Sequence, residues 1–421
     1  MNVLVIGGGA AGMMAAAAAS EAGADVILAE KNEKLGKKIY ITGKGRCNFT
    51  NACLPDDFLA NVTGNPRFMY SSFCAFDNRA VMDYFEKNGL KIKVERGNRV
   101  FPLSDKASDV TRTLETVLRK NRVRIMLRAN AKELLIKDGA AAGAIVDTPE
   151  GQKTIRADKV IVATGGLSYP STGSDGDGYR FAKALGHRIV NTFPSLVSLR
   201  AKLPGDMSVR DMAGLSLKNV RLLVYDGKKK KYDGMGEMLF THEGISGPIV
   251  LSLSAMLDKK YLESETALRG LETSIDFKPA LSLKTLDDRL LRELDEAKNK
   301  IVKTVMRRLL PESAITALLM QAGVPAELAV HELTRQQRGG ICNALKKFRL
   351  ILTGLGGYNE AVVTRGGIDV KEIDPATMRS KLIPGLYFAG EVLDIDALTG
   401  GFNLQLAWST GHAAGKGVMN E

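Results

Sequence analysis

The chain opens on an apolar run followed by small residues. Val3–Ile6 is apolar at every position, which predicts a parallel strand covered on both faces. An alanine-rich helix is predicted to follow, as far as about Glu21, and a second apolar run, Asp25–Ala29, predicts another strand that ends at Glu30. Between the first strand and the helix, three glycines stand in G-x-G-x-x-G spacing: Gly7, Gly9 and Gly12.

This order of elements is typical of a site for an adenine dinucleotide. Gly7 permits a tight turn, Gly9 lets the backbone approach a pyrophosphate, and Gly12 lets the helix lie close to the strand. The helix N-terminus offers unpaired N–H groups to the phosphates, and Glu30 can accept hydrogen bonds from ribose hydroxyls. The alternative is an ordinary glycine-rich turn, but strand, glycines, helix, second strand and acid all occur in order. At this point the cofactor is either FAD or NAD.

The pattern changes twice along the chain. Strands and helices alternate to about residue 190, and the apolar run 158–166 predicts a further buried strand that ends in glycines. Strand-like alternation then gives way to helical periodicity from 282, and residues 385–415 return to strand, glycine loop and long helix. We therefore predict a discontinuous dinucleotide domain (1–190 plus 359–421), an inserted β-rich domain (191–281 plus 348–358) and a helical subdomain (282–347).

Two segments favour FAD over NAD. The segment 34–51 follows the second strand and is rich in glycine and basic residues, among them Lys37 and Lys38, which suits a loop around a flavin and its phosphates, although it can also be a basic surface loop. In the C-terminal segment, Glu391 and Asp394 follow a strand and can meet the ribityl chain. The helix starting near Asn403 can direct its positive end at the flavin. A plain NAD dehydrogenase has little use for this arrangement, and no second G-x-G-x-x-G unit occurs.

Composition narrows the class of protein. The 421 residues are 45% hydrophobic and 25% charged, which is ordinary for a globular protein of two or three domains, and no apolar stretch is long enough to span a membrane. The four cysteines form no C-x-x-C pair and the four histidines are scattered, so we expect no metal site. Without a signal peptide, a reducing cytoplasmic location is expected.

The net charge of +12 bears on possible partners. An excess of this size raises the prospect of a polyanion such as RNA, although a charge run is usually only a solvated surface. The basic residues gather in four runs: 34–46, 119–128, 228–231 and 346–349.

Several motifs together resemble the BaiN/RdsA family of FAD-dependent oxidoreductases. Beside the opening glycines they are GKGRCNFTN (43–51), ATGG (163–166), STGSDGDGY (171–179), THEGISGP (241–248), TRGGI (364–368) and the tail from FAGEVLD to GGFNLQLAWSTG (388–411). The resemblance runs end to end and implies an α/β fold: a Rossmann-like FAD-binding domain of the glutathione-reductase type, an inserted β-barrel-like domain and a helical subdomain. It also implies reduction of an activated C=C bond, either in bile-acid enones or in a uridine of 23S ribosomal RNA, which becomes dihydrouridine.

The resemblance implies a visiting NADH or NADPH that reduces FAD, followed by hydride transfer from the flavin to a conjugated carbon and protonation of its neighbour. For the proton donor we predict Cys47, whose alternative role is packing, or His242 beside Glu243, whose alternative role is structural. The residues expected to bind the cofactor are Gly7, Gly9, Ala10, Ala11, Gly12, Glu30, Lys31, Lys38, Gly43, Lys44, Gly45, Arg46, Cys47, Asn48, Ala163, Thr164, Gly165, Gly390, Glu391, Asp394, Gly401, Phe402, Asn403, Leu404 and Gln405.

Between the two substrates, the positive charge favours ribosomal RNA over a neutral steroid, which would require an apolar pocket. A uracil in RNA must be unstacked to reach a flavin, and a basic surface suits its backbone. A third function, a flavin-containing RNA-binding assembly factor without turnover, stays open. The oligomeric state is left open as well.

Overall fold

The computed structural model describes residues 1–205 and 207–420, which form two compact units. The first comprises Met1–Ser195 and Tyr358–Glu421, and the second is Leu196–Gly357. The first unit is thus discontinuous in sequence. The division into domains at 1–190 plus 359–421, 191–281 plus 348–358 and 282–347 stays a prediction. Among the described residues, no helix has the length and apolar character needed to cross a membrane.

Nineteen strands and fifteen helices are described in the two units. The strands are β1 (Asn2–Ile6), β2 (Asp25–Glu30), β3 (Thr50–Asn51), β4 (Ile92–Glu95), β5 (Arg99–Pro102), β6 (Arg124–Leu127), β7 (Asn130–Lys137), β8 (Ala140–Thr148), β9 (Gly151–Arg156), β10 (Lys159–Val162), β11 (Ile189–Ser195), β12 (Leu199–Lys202), β13 (Ser216–Asp226), β14 (Lys229–Phe240), β15 (Gly244–Ser246), β16 (Glu272–Asp276), β17 (Phe348–Leu355), β18 (Val363–Ile368) and β19 (Leu386–Phe388). The helices are α1 (Ala10–Glu21), α2 (Lys37–Ile41), α3 (Pro55–Ala60), α4 (Pro66–Ala75), α5 (Asn78–Lys87), α6 (Ala107–Lys120), α7 (Asp177–Ala184), α8 (Pro248–Met256), α9 (Lys259–Glu263), α10 (Glu265–Arg269), α11 (Leu283–Asp295), α12 (Val302–Met306), α13 (Glu312–Gln321), α14 (Arg335–Lys346) and α15 (Phe402–Gly417).

A five-stranded parallel sheet organises the first unit, in the order β19-β10-β1-β2-β6. The central strand β1 is buried from Val3 to Ile6, with at most 4% of any of these residues exposed, as its unbroken apolar pattern predicts. Three antiparallel sheets complete the unit: β11-β18, β3-β5-β4 and β7-β8-β9. The five-stranded parallel sheet thus contains strands from both ends of the chain.

Helices α1 and α15 pack against each other at close range. A Cβ built at Gly411 would lie 2.4 Å from the Ala11 carbonyl oxygen, and one at Gly415 would lie 2.4 Å from that of Ala15. Residues 15–19 of α1, all alanine, are at most 1% exposed. Small side chains on both helices therefore permit a contact that larger residues would prevent.

The second unit contains a closed six-stranded barrel in the order β12-β15-β14-β13-β16-β17. Helices α11 to α14 share one hydrophobic core with the barrel; Leu286, Leu290 and Ile341 from these helices belong to the same cluster as Phe348 of β17. The β-barrel and the helices agree with the implied fold class. The finer division into a separate helical subdomain stays a prediction.

Most helices and strands predicted in the first unit are present. The segment 34–51 differs from expectation, because it is not only a loop: α2 occupies Lys37–Ile41 and a short 3₁₀ turn follows at Thr42–Gly45. Within that turn Gly43 and Lys44 are left-handed, with φ of 60° and 57°. The helix α2 thus ends at Ile41, before the extended Thr42 and the left-handed Gly43 and Lys44, which do not continue a helix.

Candidate cofactor site

A deep cleft lies at the carboxyl ends of the parallel strands. Residues that follow β1, β2, β10 and β19 line it, and it encloses about 1270 Å³ of space free of protein atoms, part of it open to solvent. Ligands of open α/β sheets bind at this edge of the sheet. All lining residues belong to the first unit.

The three glycines of the opening motif have the geometry that the motif requires. Gly7 has φ +104°, and a Cβ there would lie 2.5 Å from the Ala163 carbonyl oxygen. A Cβ at Gly12 would lie 1.8 Å from the Gly7 carbonyl oxygen, so α1 starts as close to the turn as backbone permits. No atom lies within 4 Å of a Cβ at Gly9, which lines the cleft. Gly9 therefore leaves open the space that a pyrophosphate needs.

Two helices begin at the cleft without side-chain caps. The N-cap of α1 is Gly9 and that of α15 is Gly401, and neither helix has an acidic residue in its first turn. Gly401 has φ +98°, and a Cβ there would meet the Thr50 carbonyl oxygen at 2.2 Å, so only glycine suits this start. The free N–H groups and the positive helix ends favour anionic groups at both places.

Glu30 is buried at the end of β2 and is held by three donors. Its Oε2 accepts a hydrogen bond from the Gly8 N–H at 2.6 Å, and its Oε1 accepts from the backbone N–H and the Nδ2 of Asn32, both at 2.7 Å. A carboxylate has about four acceptor positions, so a ribose hydroxyl can still donate to Glu30. Asn32 also lines the cleft.

The predicted lysines of the cleft are paired with carboxylates. Lys31 Nζ contacts Asp175 at 2.6 Å and Asp177 at 2.9 Å. Burial acts to lower the pKa of Lys31, but the two carboxylates outweigh it and the pKa is raised. Lys38 Nζ contacts Glu391 Oε2 at 2.7 Å, and both side chains line the cleft. These pairs join segments distant in sequence at the cleft wall.

Polar groups that line the cleft are suited to bind a dinucleotide. The buried Thr164 hydroxyl has no hydrogen-bond partner among the described residues, and Thr164 lines the cleft. Together with two uncapped helix ends, the open space at Gly9 and the acceptor Glu30, the cleft provides groups for phosphates and a ribose. The predicted cofactor residues that line it are Gly7, Gly9, Ala10, Ala11, Glu30, Lys31, Lys38, Ala163, Thr164, Gly165, Gly390, Glu391, Asn403 and Leu404.

The remaining predicted cofactor residues do not line this cleft. They are Gly12, Gly43, Lys44, Gly45, Arg46, Cys47, Asn48, Asp394, Gly401, Phe402 and Gln405. Arg46 lies over the Phe101 ring and pairs with Glu95 and Asp105. The Gln405 amide is buried and bonds Thr50 Oγ1, the Phe76 carbonyl and Ser409 Oγ. These contacts give Arg46 and Gln405 structural partners.

The two predicted proton donors have opposite environments. Cys47 is fully buried in the hydrophobic core, and burial raises the pKa of its thiol well above the usual range. This environment favours the packing role, because such a thiol is a weak acid without access to solvent. His242 is exposed in the second unit, between β14 and β15, and its neighbour Glu243 pairs with Arg200 at 3.2 Å.

Several residues of the cleft were absent from the prediction. Thr172 and Gly173, and with them Ser174, lie in the STGSDGDGY segment, which was quoted as a motif but not assigned to the cofactor. Residues 129–131 follow β6, and Val362 and Val363 are at the start of β18; they carry no motif. The signal for residues 129–131 was β6, the second parallel strand after the glycine motif, since its carboxyl end must reach the same edge of the sheet.

Comparison with known proteins gives concordant results. Residues 1–417 match the family model described as the HI0933-like protein Rossmann domain. The chain is 32% identical to a 3-dehydro-bile acid delta(4,6)-reductase of Clostridium scindens over 94% of this chain and 93% of that protein. It is 30% identical to a ribosomal RNA dihydrouridine synthase of Escherichia coli, over 99% and 98% respectively. A ribosomal RNA dihydrouridine synthase of Haemophilus influenzae is 28% identical, over 99% and 98%.

Solved structures share the fold at low sequence identity. A 3-ketosteroid delta1-dehydrogenase from Sterolibacterium denitrificans has a TM-score of 0.54 at 14% identity, over 99% of this chain and 98% of that one. A 3-ketosteroid-delta4-(5alpha)-dehydrogenase from Rhodococcus jostii has a TM-score of 0.50 at 15% identity, over 100% and 96%. At these identities the likeness concerns the fold alone.

Proposed function

The chain belongs to the HI0933-like (BaiN/RdsA) family of FAD-dependent oxidoreductases, and from this premise we propose that it reduces a uridine of 23S ribosomal RNA to dihydrouridine. Membership implies FAD as the cofactor. When bound, FAD supplies the hydride for an electron-poor carbon, and C6 of the conjugated uracil C5=C6 bond is such a carbon. FAD thus follows from membership of the family, whereas RNA as the substrate is what we propose.

This chain's residues would hold the cofactor as the cleft geometry suggests. The α1 N-terminus binds the pyrophosphate at Gly9, and Glu30 accepts hydrogen bonds from the ribose of the adenosine. The α15 N-terminus, at Asn403 and Leu404, would favour negative charge on the flavin. The Lys38–Glu391 pair would join two segments of the wall of the cleft around the cofactor.

The observation that supports RNA as the substrate is the net positive charge of the chain. Sequence identity does not separate the two activities, because the bile-acid reductase is 32% identical and the ribosomal RNA enzymes are 30% and 28% identical. A net charge of +12 suits a substrate with many phosphates, because a basic surface attracts a polyanion and helps to orient it. A bile acid offers a single carboxylate on an apolar ring system, so it gains less from that field than a chain of phosphates.

The test is the dihydrouridine content of ribosomal RNA. We expect one uridine of the large-subunit RNA to be reduced in wild-type cells and unmodified in cells lacking the protein, measured by mass spectrometry of RNA digests. Reintroducing the wild-type gene restores the modification, and a Gly9→Val variant does not. Unchanged dihydrouridine at every position contradicts the proposal.

A second candidate, reduction of a small-molecule enone, is favoured by the bile-acid reductase at 32% identity. Turnover of a steroid enone by the purified protein, with unchanged ribosomal RNA, supports it.

For either substrate we propose NADH or NADPH as the visiting reductant. Anaerobic stopped-flow with each nucleotide tests this, and an unbleached flavin at millimolar nucleotide requires another donor.

A further inference from the structure

The predicted basic runs differ in how far their charge is already neutralised. Lys230 pairs with Asp233 at 2.8 Å and Lys231 with Asp258 at 2.5 Å. In the run 346–349, Lys346 pairs with Asp276 at 2.6 Å, and Lys347 pairs with Glu272. Carboxylates of the second unit thus neutralise much of the positive charge in these two runs.

The run 119–128 is different. It contains five cations and no acidic residue, and each of the five is exposed. None of them has a carboxylate within ion-pair distance in the part of the chain that the structure describes. We call these residues the α6–β6 patch: Arg119, Lys120, Arg122, Arg124 and Arg128.

The patch has a defined place in the first unit. It runs from the last turn of α6 across a short turn and along β6, which is the edge strand of the parallel sheet. The next residues, 129–131, line the cofactor cleft. The patch therefore lies on the same unit as the cleft, and Arg128 immediately precedes residues that line it.

Two local roles account for only part of this charge. Arg119 and Lys120 complement the negative end of α6, and a charged edge strand resists pairing with another chain. One or two residues suffice for each role. Five exposed cations within ten residues, without ion-pair partners among the described residues, are the kind of basic cluster that neutralises phosphates.

We propose that the α6–β6 patch binds the phosphate backbone of the RNA substrate; this inference rests on the proposed function. Arginine suits this task, because its planar guanidinium donates two parallel hydrogen bonds to one phosphate. Backbone contacts carry no sequence information, so the patch contributes affinity and orientation, while the choice of uridine is made elsewhere.

The test combines three substitutions, Arg119→Gln, Arg122→Gln and Arg124→Gln. Arg128 is left in place, because it adjoins the cleft. The control combines Lys284→Gln, Arg292→Gln and Lys300→Gln, which removes the same charge from exposed cations that also have no ion-pair partner among the described residues. Both proteins are purified with FAD, and their flavin content and Tm are compared with wild type.

Binding is measured with large-subunit ribosomal RNA extracted from a strain lacking the protein, over a series of salt concentrations. We expect the patch variant to bind at least about tenfold more weakly, and the slope of log K against log salt to fall by about 2 to 3, since each lost phosphate contact removes about 0.7 to 0.9. The control keeps the wild-type slope within about 0.5. Flavin reduction by NAD(P)H is unchanged in both variants.

The outcomes separate the two proposals. If wild type forms dihydrouridine and the patch variant binds RNA with the wild-type affinity and slope, the patch is only a charged edge and this inference is wrong. It is equally wrong if both variants weaken binding to the same extent, because net charge alone then accounts for the loss. If wild type neither binds the RNA nor modifies it, the proposed function fails and the inference with it.

Discussion

Gly9 and Gly12 lie three residues apart and are required for different physical reasons, which two substitutions separate. A side chain at Gly9 enters open space in the cleft, so Gly9→Val is expected to keep the Tm of the cofactor-free protein within about 2 °C while FAD is no longer retained. Gly12→Ala places a Cβ 1.8 Å from the Gly7 carbonyl oxygen and destabilises the fold itself by about 1 to 3 kcal/mol or more.

The measurement is flavin stoichiometry beside thermal unfolding with and without added FAD. A Gly9→Val protein that purifies with a full complement of FAD contradicts the assignment of this space to the pyrophosphate. A Gly12→Ala protein as stable as wild type contradicts the close approach of α1.

Cys47 and His242 are distinguished by their exposure. Because the Cys47 thiol is fully buried, Cys47→Ala is expected to keep substrate turnover within about threefold and to cost about 1 kcal/mol of stability through lost packing. His242 is exposed in the turn between β14 and β15, so His242→Gln is expected to slow turnover by about 10²- to 10⁴-fold if it is the general acid.

Both variants should keep the wild-type rate of flavin reduction by NAD(P)H, since no proton is donated to substrate in that half-reaction. Single-turnover stopped-flow measures the two halves separately. If Cys47→Ala loses turnover in the second half while His242→Gln retains it, the thiol is the donor despite its burial.

At the scale of elements, the contact between α1 and α15 sets the distance between the two uncapped helix ends. Gly411→Ala would place a Cβ 2.4 Å from the Ala11 carbonyl oxygen and force the helices apart. We expect a loss of about 2 kcal/mol or more in stability and at least tenfold weaker FAD binding. Gly339→Ala in α14 is the matched control, because its Cβ meets no atom within 4 Å and helix propensity favours alanine by about 0.5 to 1 kcal/mol.

Chemical denaturation and FAD titration test this pair of variants. Equal stability of the two variants would show that the helices can separate without cost. Loss of stability with unchanged FAD affinity would show that the spacing of the helix ends does not matter for the cofactor.

At the scale of the whole molecule, FAD binding should protect one unit. Every residue that lines the cleft belongs to the first unit. Adding FAD to the cofactor-free protein is therefore expected to slow amide exchange in 7–13, 30–42, 163–174 and 389–407, and to leave the barrel strands near their original rates. Hydrogen exchange followed by mass spectrometry gives this map. Protection centred on 216–240 would contradict the placement of the cofactor.

The sequence by itself determined the structure of the dinucleotide motif in the first unit, because that motif depends on residues close together in the chain. The unbroken apolar run of β1, the spacing of Gly7, Gly9 and Gly12, and the acid Glu30 each act over a few neighbouring residues, so their structure could be predicted from pattern alone. The family resemblance extended the prediction to the barrel and to FAD. Of the predicted cofactor residues, those beside the strand ends line the cleft.

Tertiary structure alone decided which charged and buried groups are available for function. Arg46 and Lys231 read as free cations in the sequence, but Asp105 and Asp258, distant in the chain, neutralise them. Arg124 reads the same way and has no such partner among the described residues. Cys47 lies within the polar motif GKGRCNFTN and is nonetheless in the core. Pairing and burial depend on residues brought together from far apart in the chain, which no local pattern contains, and so the folded chain, rather than its composition, determines where the positive charge remains.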